Sequence, residues 1–157
     1  MKTLYVIRHA KSSWDAMNVD DFERPLNERG KRDAPRMGKR LKEKEIHPDL
    51  MLTSPAKRAL STSKRIAKIL GYPKENIKTD RQLYHPDEET ILAVVQGLKD
   101  KCDQVVLCTH NPGLTDFVNT LMNGEFDIDN IPTCGVVALY FDVEHWRNVN
   151  WGQGKIL

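Results

Sequence analysis

The sequence predicts an α/β fold, a three-layer α/β/α sandwich with a mostly parallel central sheet. Two observations favour this fold class. Short continuous apolar runs, typical of strands buried on both faces, recur along the chain. Segments with helical periodicity follow the first three of these runs, and strands that alternate with helices are typical of parallel sheets. The chain has 157 residues, so we expect residues 1–157 to form one domain, at roughly 100–200 residues per domain.

Five segments are predicted to be strands. They are Leu4–Ile7, Leu50–Leu52, Val105–Cys108, Gly135–Phe141 and an edge strand within Asn148–Leu157. The first three are β-rich apolar runs, each followed directly by polar residues. Ligands of such sheets bind at the carboxyl ends of the strands, which directs attention to the residues that follow each run.

Four helices are predicted between these strands. They are Asn27–Glu45, Pro55–Gly71, Asp87–Lys101 and Pro112–Asn123. Asn27 is a suitable N-cap, proline is favoured in the first turn, and Gly71 is a suitable stop. Pro35 lies inside the first pattern, so we expect a kink or a late start of that helix.

Composition excludes several classes of protein. The 24 basic and 22 acidic residues leave a net charge of +2, which gives no reason to expect nucleic-acid or membrane binding. The apolar runs are too short for a signal peptide or a membrane span. The three cysteines are an odd number without C-x-x-C spacing, so we expect reduced thiols in a cytoplasmic protein. Separately, we favour a monomer over an oligomer.

Charged residues follow three of the predicted strands. Arg8 and His9 come after the first strand, Arg58 lies one turn into the helix after the second, and His110 follows the third. If these strands are neighbours, two arginines and two histidines meet at one edge of the sheet. Paired guanidinium groups match the geometry of a phosphate, and the helix N-termini at that edge favour an anion.

Other phosphate and metal chemistries find no support in the sequence. No P-loop or G-x-G-x-x-G motif is present, and none of the three cysteines has an arginine six residues later. The remaining histidines form no H-E-x-x-H motif, and the arginines would repel a metal cation. A histidine that attacks phosphorus remains as the predicted nucleophile.

Three motifs resemble those of the histidine phosphatase (phosphoglycerate mutase-like) superfamily. Arg8–Trp14 resembles its R-H-G motif, Ser54–Thr62 its S-P-x-x-R-A-x-x-T segment, and Thr109–Pro112 its second histidine motif. The short length, the segment Arg24–Gly30 and the turn Thr133–Gly135 look most like the SixA-type phosphohistidine phosphatase branch.

The resemblance implies a phosphoglycerate mutase-like fold and a role for each matching residue. His9 would become phosphorylated, Arg8 and Arg58 would hold the phosphoryl oxygens, and His110 would complete the pocket. Fixed positive donors suit phosphoryl transfer, in which charge accumulates on the equatorial oxygens. Neither a metal nor an organic cofactor is implied.

Three positions depart from the family pattern. Ala10 replaces a glycine, Asp15 stands where mutases carry asparagine, and His85 takes the place of a glutamate that acts as general acid in larger members. The labile P–N bond of phosphohistidine tolerates a missing acid better than an alkyl ester does. We therefore regard His85 and Asp15 as candidate acids, with solvation at the rim and ion pairing as the alternatives.

Further residues are candidates for substrate binding. Arg24, Ser12 and Asn111 lie in the motifs, and Arg24 would contact substrate or brace Asp15. Trp14 is expected to pack beside the site. Eight of the sixteen residues from Arg29 to Lys44 are basic, which indicates either a solvated helix face or a docking surface for an acidic partner.

The leading hypothesis is a metal-independent phosphatase that forms phosphohistidine at His9 and acts on phosphohistidine in a protein. A small-molecule phosphomonoesterase or mutase on the same site is the first alternative. A non-catalytic phosphate-binding module is the alternative from another class. The short chain leaves little for a cap, so we expect a shallow, open site.

Overall fold

A computed structural model describes residues 1–14, 19–124 and 127–157. The described residues contain one six-stranded sheet with the order β3-β2-β4-β1-β5-β6. The strands are β1 Lys2–Arg8, β2 Leu50–Thr53, β3 Lys78–Thr79, β4 Gln104–Thr109, β5 Val136–Phe141 and β6 Lys155–Ile156. Strands β1, β2, β3 and β4 are parallel to one another. Strand β5 is antiparallel to both of its neighbours, β1 and β6. The predicted mostly parallel sheet is confirmed.

The register of the central strands brings their carboxyl ends together. Arg8 of β1 pairs with Thr109 of β4, and Thr53 of β2 pairs with Cys108 of β4. The residues that follow β1, β2 and β4 therefore leave the sheet at the same edge.

Four α-helices connect the strands: α1 Glu28–Glu43, α2 Lys57–Leu70, α3 Glu88–Gln96 and α4 Gly113–Met122. Side chains cap two of them, because Asn27 accepts a hydrogen bond from the Gly30 amide and Asp87 accepts one from the Thr90 amide. Gly71 ends α2 in the left-handed region with a φ of 75°, where glycine has no steric penalty.

The helix boundaries differ from the predictions in three places. Helix α1 begins at Glu28 and includes Pro35, so the late start is wrong. Helix α2 begins two residues after Pro55, with Ala56 as its N-cap. Helix α3 stops at Gln96, because Gly97 caps it by bonding back to carbonyls of the last turn.

Helices cover both faces of the sheet and create two cores. In β1, Leu4 and Val6 join the core under α3 and α4, while Tyr5 and Ile7 join the core under α1 and α2. This alternation is the period of two expected for a strand buried on both sides. The three-layer sandwich is therefore confirmed. None of the helices in the described ranges has the length and hydropathy needed to cross a membrane.

Candidate active site

The first residues beyond β1, β2 and β4 meet at one edge of the sheet. The His9 amide donates to the Thr109 carbonyl at 3.2 Å, and the Ser54 amide donates to the Cys108 carbonyl at 3.0 Å. The imidazole rings of His9 and His110 lie with their centroids 5.1 Å apart. The predicted meeting of the two histidines is thus present in the structure.

The imidazole of His9 is held in its neutral form. Its Nδ1 lies 2.8 Å from the Ala10 carbonyl oxygen, which can only accept, so Nδ1 carries the proton and Nε2 keeps its lone pair. Burial lowers the pKa of His9 to about 4, the bond to Ala10 opposes this shift, and the charges of Arg58, Arg8 and Arg24 lower the pKa further. An unprotonated Nε2 is what attack on phosphorus requires.

The backbone beside His9 is fastened to two other elements. The Ala10 amide donates to Thr62 Oγ1 at 3.0 Å, and that hydroxyl donates to the Arg58 carbonyl at 2.7 Å. The Ala10 methyl is fully buried in a small core with Leu26 and Cys134. The alanine at the family's glycine position therefore contributes packing that a glycine would lack.

His110 is the second buried histidine of the site. Arg58 Nη2 lies 3.4 Å from His110 Nδ1 and can only donate, so Nδ1 accepts and the proton is on Nε2. That Nε2 donates to Ser54 Oγ at 2.7 Å. Burial lowers the pKa of His110 to about 2, with further lowering by His9 and Arg58. The free site thus holds two neutral imidazoles.

The guanidinium groups of buried Arg58 and half-buried Arg8 flank the histidines. Arg58 is only 1% exposed, and its Nη1 donates to the Asp21 carbonyl at 2.6 Å. Arg8 donates from Nη1 to the Ile131 carbonyl at 2.9 Å, and burial lowers its pKa. The Nε atoms of both arginines are buried without a hydrogen-bond partner among the described residues. Unpaired buried donors on two cations favour a bound anion, and a phosphoryl group fits them.

Asp21 organises the site and was missed in the sequence. Its Oδ2 accepts from Tyr84 Oη at 2.6 Å, His85 Nε2 at 2.8 Å and Arg58 Nη2 at 3.0 Å. Its Oδ1 accepts from Arg24 Nε at 3.1 Å. Burial by itself would raise the pKa of Asp21, but these hydrogen bonds and the charge of Arg58 outweigh it and hold the pKa far below its ordinary value. Asp21 is therefore an ionised acceptor at the centre of four donors.

His85 lies at the rim, in contact with Asp21. Because the Asp21 carboxylate only accepts, His85 Nε2 carries a hydrogen and directs it at Oδ2. The side chain is 49% exposed, and its ring centroid lies 4.7 Å from that of His110. The backbone has a φ of 47°, which is uncommon for a non-glycine residue and aims the ring at the site. The other candidate acid, Asp15, lies outside the described residues.

Arg24 lies beside the site but is already engaged. It is 8% exposed and bonds to Asp21 as described above. Its guanidinium carbon lies 3.5 Å from the centre of the Trp14 ring, a cation–π contact. Trp14 is 74% exposed and packs against Arg24 beside the site, which agrees with the expectation from the sequence. Contact of Arg24 with substrate, and a brace to Asp15, remain predictions.

Asn111 and Ser12 hold loops together. Asn111 Nδ2 donates to Asn130 Oδ1 at 2.8 Å and to the Ile131 carbonyl at 3.1 Å, and its Oδ1 accepts twice from Thr115. Since every donor and acceptor of this amide is used, the arrangement favours a positioning role over the predicted substrate contact. Ser12 is buried and forms a bridge with Leu26, and its predicted substrate contact remains a prediction.

The reactive groups are recessed. His9 is 8% exposed and His110 is 1% exposed, whereas the His85 side chain at the rim is about half exposed. The shallow, open site expected from the chain length remains a prediction.

Comparisons with known proteins place this site in a family. Residues 4–84 match the sequence model of the histidine phosphatase superfamily (branch 1). An uncharacterized chloroplastic protein of Arabidopsis thaliana is 35% identical over 154 residues, which cover 93% of this chain and 69% of the relative. The 2,3-bisphosphoglycerate-dependent phosphoglycerate mutase of Chelativorans sp. is 34% identical over 73 residues, 45% of this chain and 35% of the mutase.

Solved structures extend the likeness to the whole chain. The putative phosphohistidine phosphatase SixA from Agrobacterium tumefaciens has a TM-score of 0.82 and 26% identity, with 89% of this chain and 92% of that chain covered. The protein histidine phosphatase SixA complexed with tungstate has a TM-score of 0.83 and 23% identity over 99% of this chain and 94% of that chain, and shows the same fold. With the matched motifs at the carboxyl edge of its sheet, this chain belongs to the histidine phosphatase superfamily (branch 1) and has a SixA-type fold.

Proposed function

We propose that the protein is a phosphatase that carries the phosphoryl group on His9 and hydrolyses phosphohistidine in a partner protein. One observation carries this proposal: a neutral His9, with Nδ1 bonded to Ala10, lies beside two arginines whose Nε atoms are buried without a hydrogen-bond partner among the described residues. The His9 lone pair supplies the nucleophile, and the arginines supply donors for the phosphoryl oxygens.

The reaction has two steps. In the first, the lone pair of His9 Nε2 forms a P–N bond as the bond between phosphorus and the substrate imidazole breaks. The electron pair of the broken bond stays on that imidazole, which takes up a proton from water. In the second, water attacks phosphorus, the P–Nε2 bond breaks, and inorganic phosphate leaves with the oxygen of water. Arg8 and Arg58 would hold the equatorial oxygens in both steps, where charge is greatest.

The substrate class follows from the proton donors near the site. Asp21 is held ionised by its four donors, so it has no proton to give at neutral pH. His85 directs its Nε2 hydrogen at Asp21 rather than at His9. No carboxylic acid among these groups is ready to protonate an alkoxide. A substrate with a labile P–N bond needs such an acid least, which supports phosphohistidine over alkyl phosphates.

The similarity to phosphoglycerate mutases suggests a second candidate function. The match to the Chelativorans phosphoglycerate mutase covers 45% of this chain, but only about a third of the mutase. A small-molecule phosphomonoesterase or mutase on the same site is therefore the alternative. Mutases retain their intermediate, which generally requires enclosure of the site.

The test is to trap the phosphoenzyme and compare substrates. We would expose the protein to phosphohistidine-labelled protein, acetyl phosphate, an aryl phosphate and a sugar phosphate carrying ³²P, then measure label on the chain at acid and neutral pH. We expect acid-labile label on the wild type, none on His9→Ala, and retained label on His47→Ala, whose site is exposed. Turnover of phosphohistidine above all others supports the substrate class. Preferred turnover of the sugar phosphate favours the alternative, and no label on the wild type contradicts the proposal.

A further inference from the structure

A groove runs between helix α1 and strand β5, away from the opening of the active site. It has a volume of about 610 Å³, and its floor includes Val136 of β5. Val136 and Ala138 are paired with Ile7 and Tyr5 of β1, so they face the same side of the sheet as α1 and α2. Both are only half-buried, because no helix among the described residues covers β5 on this side.

The dimensions of the sandwich explain the groove. Six strands spaced about 4.8 Å apart span roughly 24 Å. Two helices that pack about 8–10 Å apart cover the strands on one side of such a sheet and leave the other side bare. Helices α1 and α2 share one core with β1, β2 and β4, so the bare side is the β5 side. The groove therefore lies where a third helix would pack next to α1.

The helix wall of the groove is basic. Arg29, Arg36 and Arg40 line it, and their spacing of seven and four residues places them on one stripe of α1. Asp33 is the acidic residue on this wall and pairs with Arg29 at 3.4 Å. Within the described ranges, neither Arg36 nor Arg40 forms an ion pair. The wall therefore presents unneutralised positive charge above an apolar floor.

The groove continues towards the end of α1. A smaller cavity of about 150 Å³ shares Met37, Arg40 and Val136 with it and adds Lys44. From Arg29 to Lys44 the wall is about 22 Å long at 1.5 Å per residue. This length matches about four turns of a helix.

The groove also adjoins the backbone of the active site. Cys134 lines it, and the Cys134 amide lies 2.9 Å from the Arg8 carbonyl and 3.1 Å from the His9 carbonyl. Ile131 lines it too and accepts the Arg8 side-chain bond. A molecule in the groove would press on the segment that holds His9 and Arg8.

We propose that this groove binds an acidic amphipathic helix of a partner protein. Carboxylates at helical spacing would face Arg36 and Arg40, and an apolar stripe would cover Val136 and Ala138. Helices that lay an apolar face into such a groove are a common mode of recognition. Charge complementarity selects an acidic segment, and the bare strand selects one with an apolar face. This inference does not depend on which phosphate substrate the enzyme takes.

The test measures binding of a synthetic peptide by fluorescence anisotropy. The probe is a labelled helix-forming peptide of about 15 residues with glutamates on one face and leucines on the other. A scrambled peptide of the same composition is its control. The variant Arg36→Glu with Arg40→Glu reverses the charge of the groove's helix wall. The control variant Lys39→Glu with Lys42→Glu makes the same change in charge at exposed residues of α1 outside the groove.

We expect the groove variant to weaken binding roughly tenfold and the control variant by less than about twofold. The scrambled peptide should bind at least roughly tenfold more weakly than the amphipathic one. Thermal denaturation verifies that both double variants fold. If Arg36→Glu with Arg40→Glu does not fold, Arg36→Gln with Arg40→Gln takes its place.

Three outcomes overturn the proposal. Equal weakening by both double variants would mean attraction by charge alone. Equal affinity for the scrambled peptide would mean that the groove does not recognise an amphipathic helix. A wild-type dimer in sedimentation that Arg36→Glu with Arg40→Glu abolishes would mean that a second copy of this chain occupies the groove. Each of these results leaves the labelling test of His9 unaffected, so the two proposals fail separately.

Discussion

Arg58 and Asp21 form a two-point contact that leaves one edge of the guanidinium free. Arg58 Nη1 bonds to the Asp21 carbonyl at 2.6 Å, and Nη2 bonds to the Asp21 carboxylate at 3.0 Å. The Nε atom has no partner in the described part of the chain. Asp21 thus fixes the far side of the guanidinium and leaves its Nε edge for an anion.

Replacing Asp21 with asparagine should remove a pH-dependent part of the stability. The folded-state pKa of Asp21 lies below the ordinary value of 3.8, so its contribution is fully present above about pH 4. It is lost as the pH falls from there through the folded pKa. We expect Asp21→Asn to be less stable than the wild type at pH 7, with a gap that shrinks below about pH 4.

Urea denaturation at several pH values measures the gap, with Asp20→Asn at the exposed neighbour as the control. A gap that stays constant down to pH 2.5 would contradict the ionised role of Asp21. The catalytic efficiency should fall as well, because asparagine keeps one oxygen acceptor where the carboxylate has two, and it no longer pairs with the charge of Arg58.

Replacing Arg58 with lysine should lower kcat/KM even though the positive charge is retained. Lysine has no Nε–H and no planar fork, so it cannot bond to Asp21 and a phosphoryl oxygen together. We expect a loss of roughly 10²-fold in steady-state kinetics on an aryl phosphate, the effect of removing one preorganised donor. Arg65→Lys, on the same helix, is the matched control and should change kcat/KM by less than about twofold. Similar losses in both variants would indicate a general effect on α2.

The residues that sequence reasoning located are those that the sheet itself positions. His9 and His110 follow directly from β1 and β4, and the parallel register brings their backbones together whatever the loops do. Arg58 follows by the same rule, because it lies in the first turn of α2 after β2. Such placement depends on topology alone, and topology is readable from alternating apolar runs.

Asp21 could not be predicted from the sequence because its role depends on tertiary contacts. Its donors Arg58, Tyr84 and His85 lie 37, 63 and 64 residues away, and the local sequence does not distinguish Asp21 from Asp20 or Glu23. The strand β3 was missed for a related reason. Its two residues are both exposed, so they carry no apolar pattern and pair only because β2 offers an edge.

Titration of His9 by ¹⁵N NMR should find a neutral ring far into the acid range. We expect the tautomer with hydrogen on Nδ1 and a midpoint near pH 4. His9→Gln assigns the signals. Since the folded-state pKa of His9 lies below the ordinary value of 6.5, the unfolded chain binds a proton first as the pH falls. The stability should therefore fall as the pH is lowered from about 6.5 to 4. A midpoint near 6.5, or hydrogen on Nε2, would contradict the nucleophile geometry.

Replacing Gly113 with alanine should disturb the rim through a neighbouring segment. A Cβ at Gly113 would overlap the Pro86 carbonyl oxygen, and backbone rather than a flexible side chain must then move. The displaced segment carries His85, which bonds to Asp21. We expect a loss of about 1–3 kcal/mol in the free energy of unfolding together with a lower kcat/KM.

Gly97→Ala is the matched control, because its Cβ would meet only ordinary contacts at 3.5 Å. It should leave stability within about 1 kcal/mol and activity unchanged. Chemical denaturation and steady-state kinetics on the same preparations separate the two effects. If Gly113→Ala loses stability but keeps its activity and pH profile, then His85 does not depend on this packing, and its contact with Asp21 survives without the support of α4.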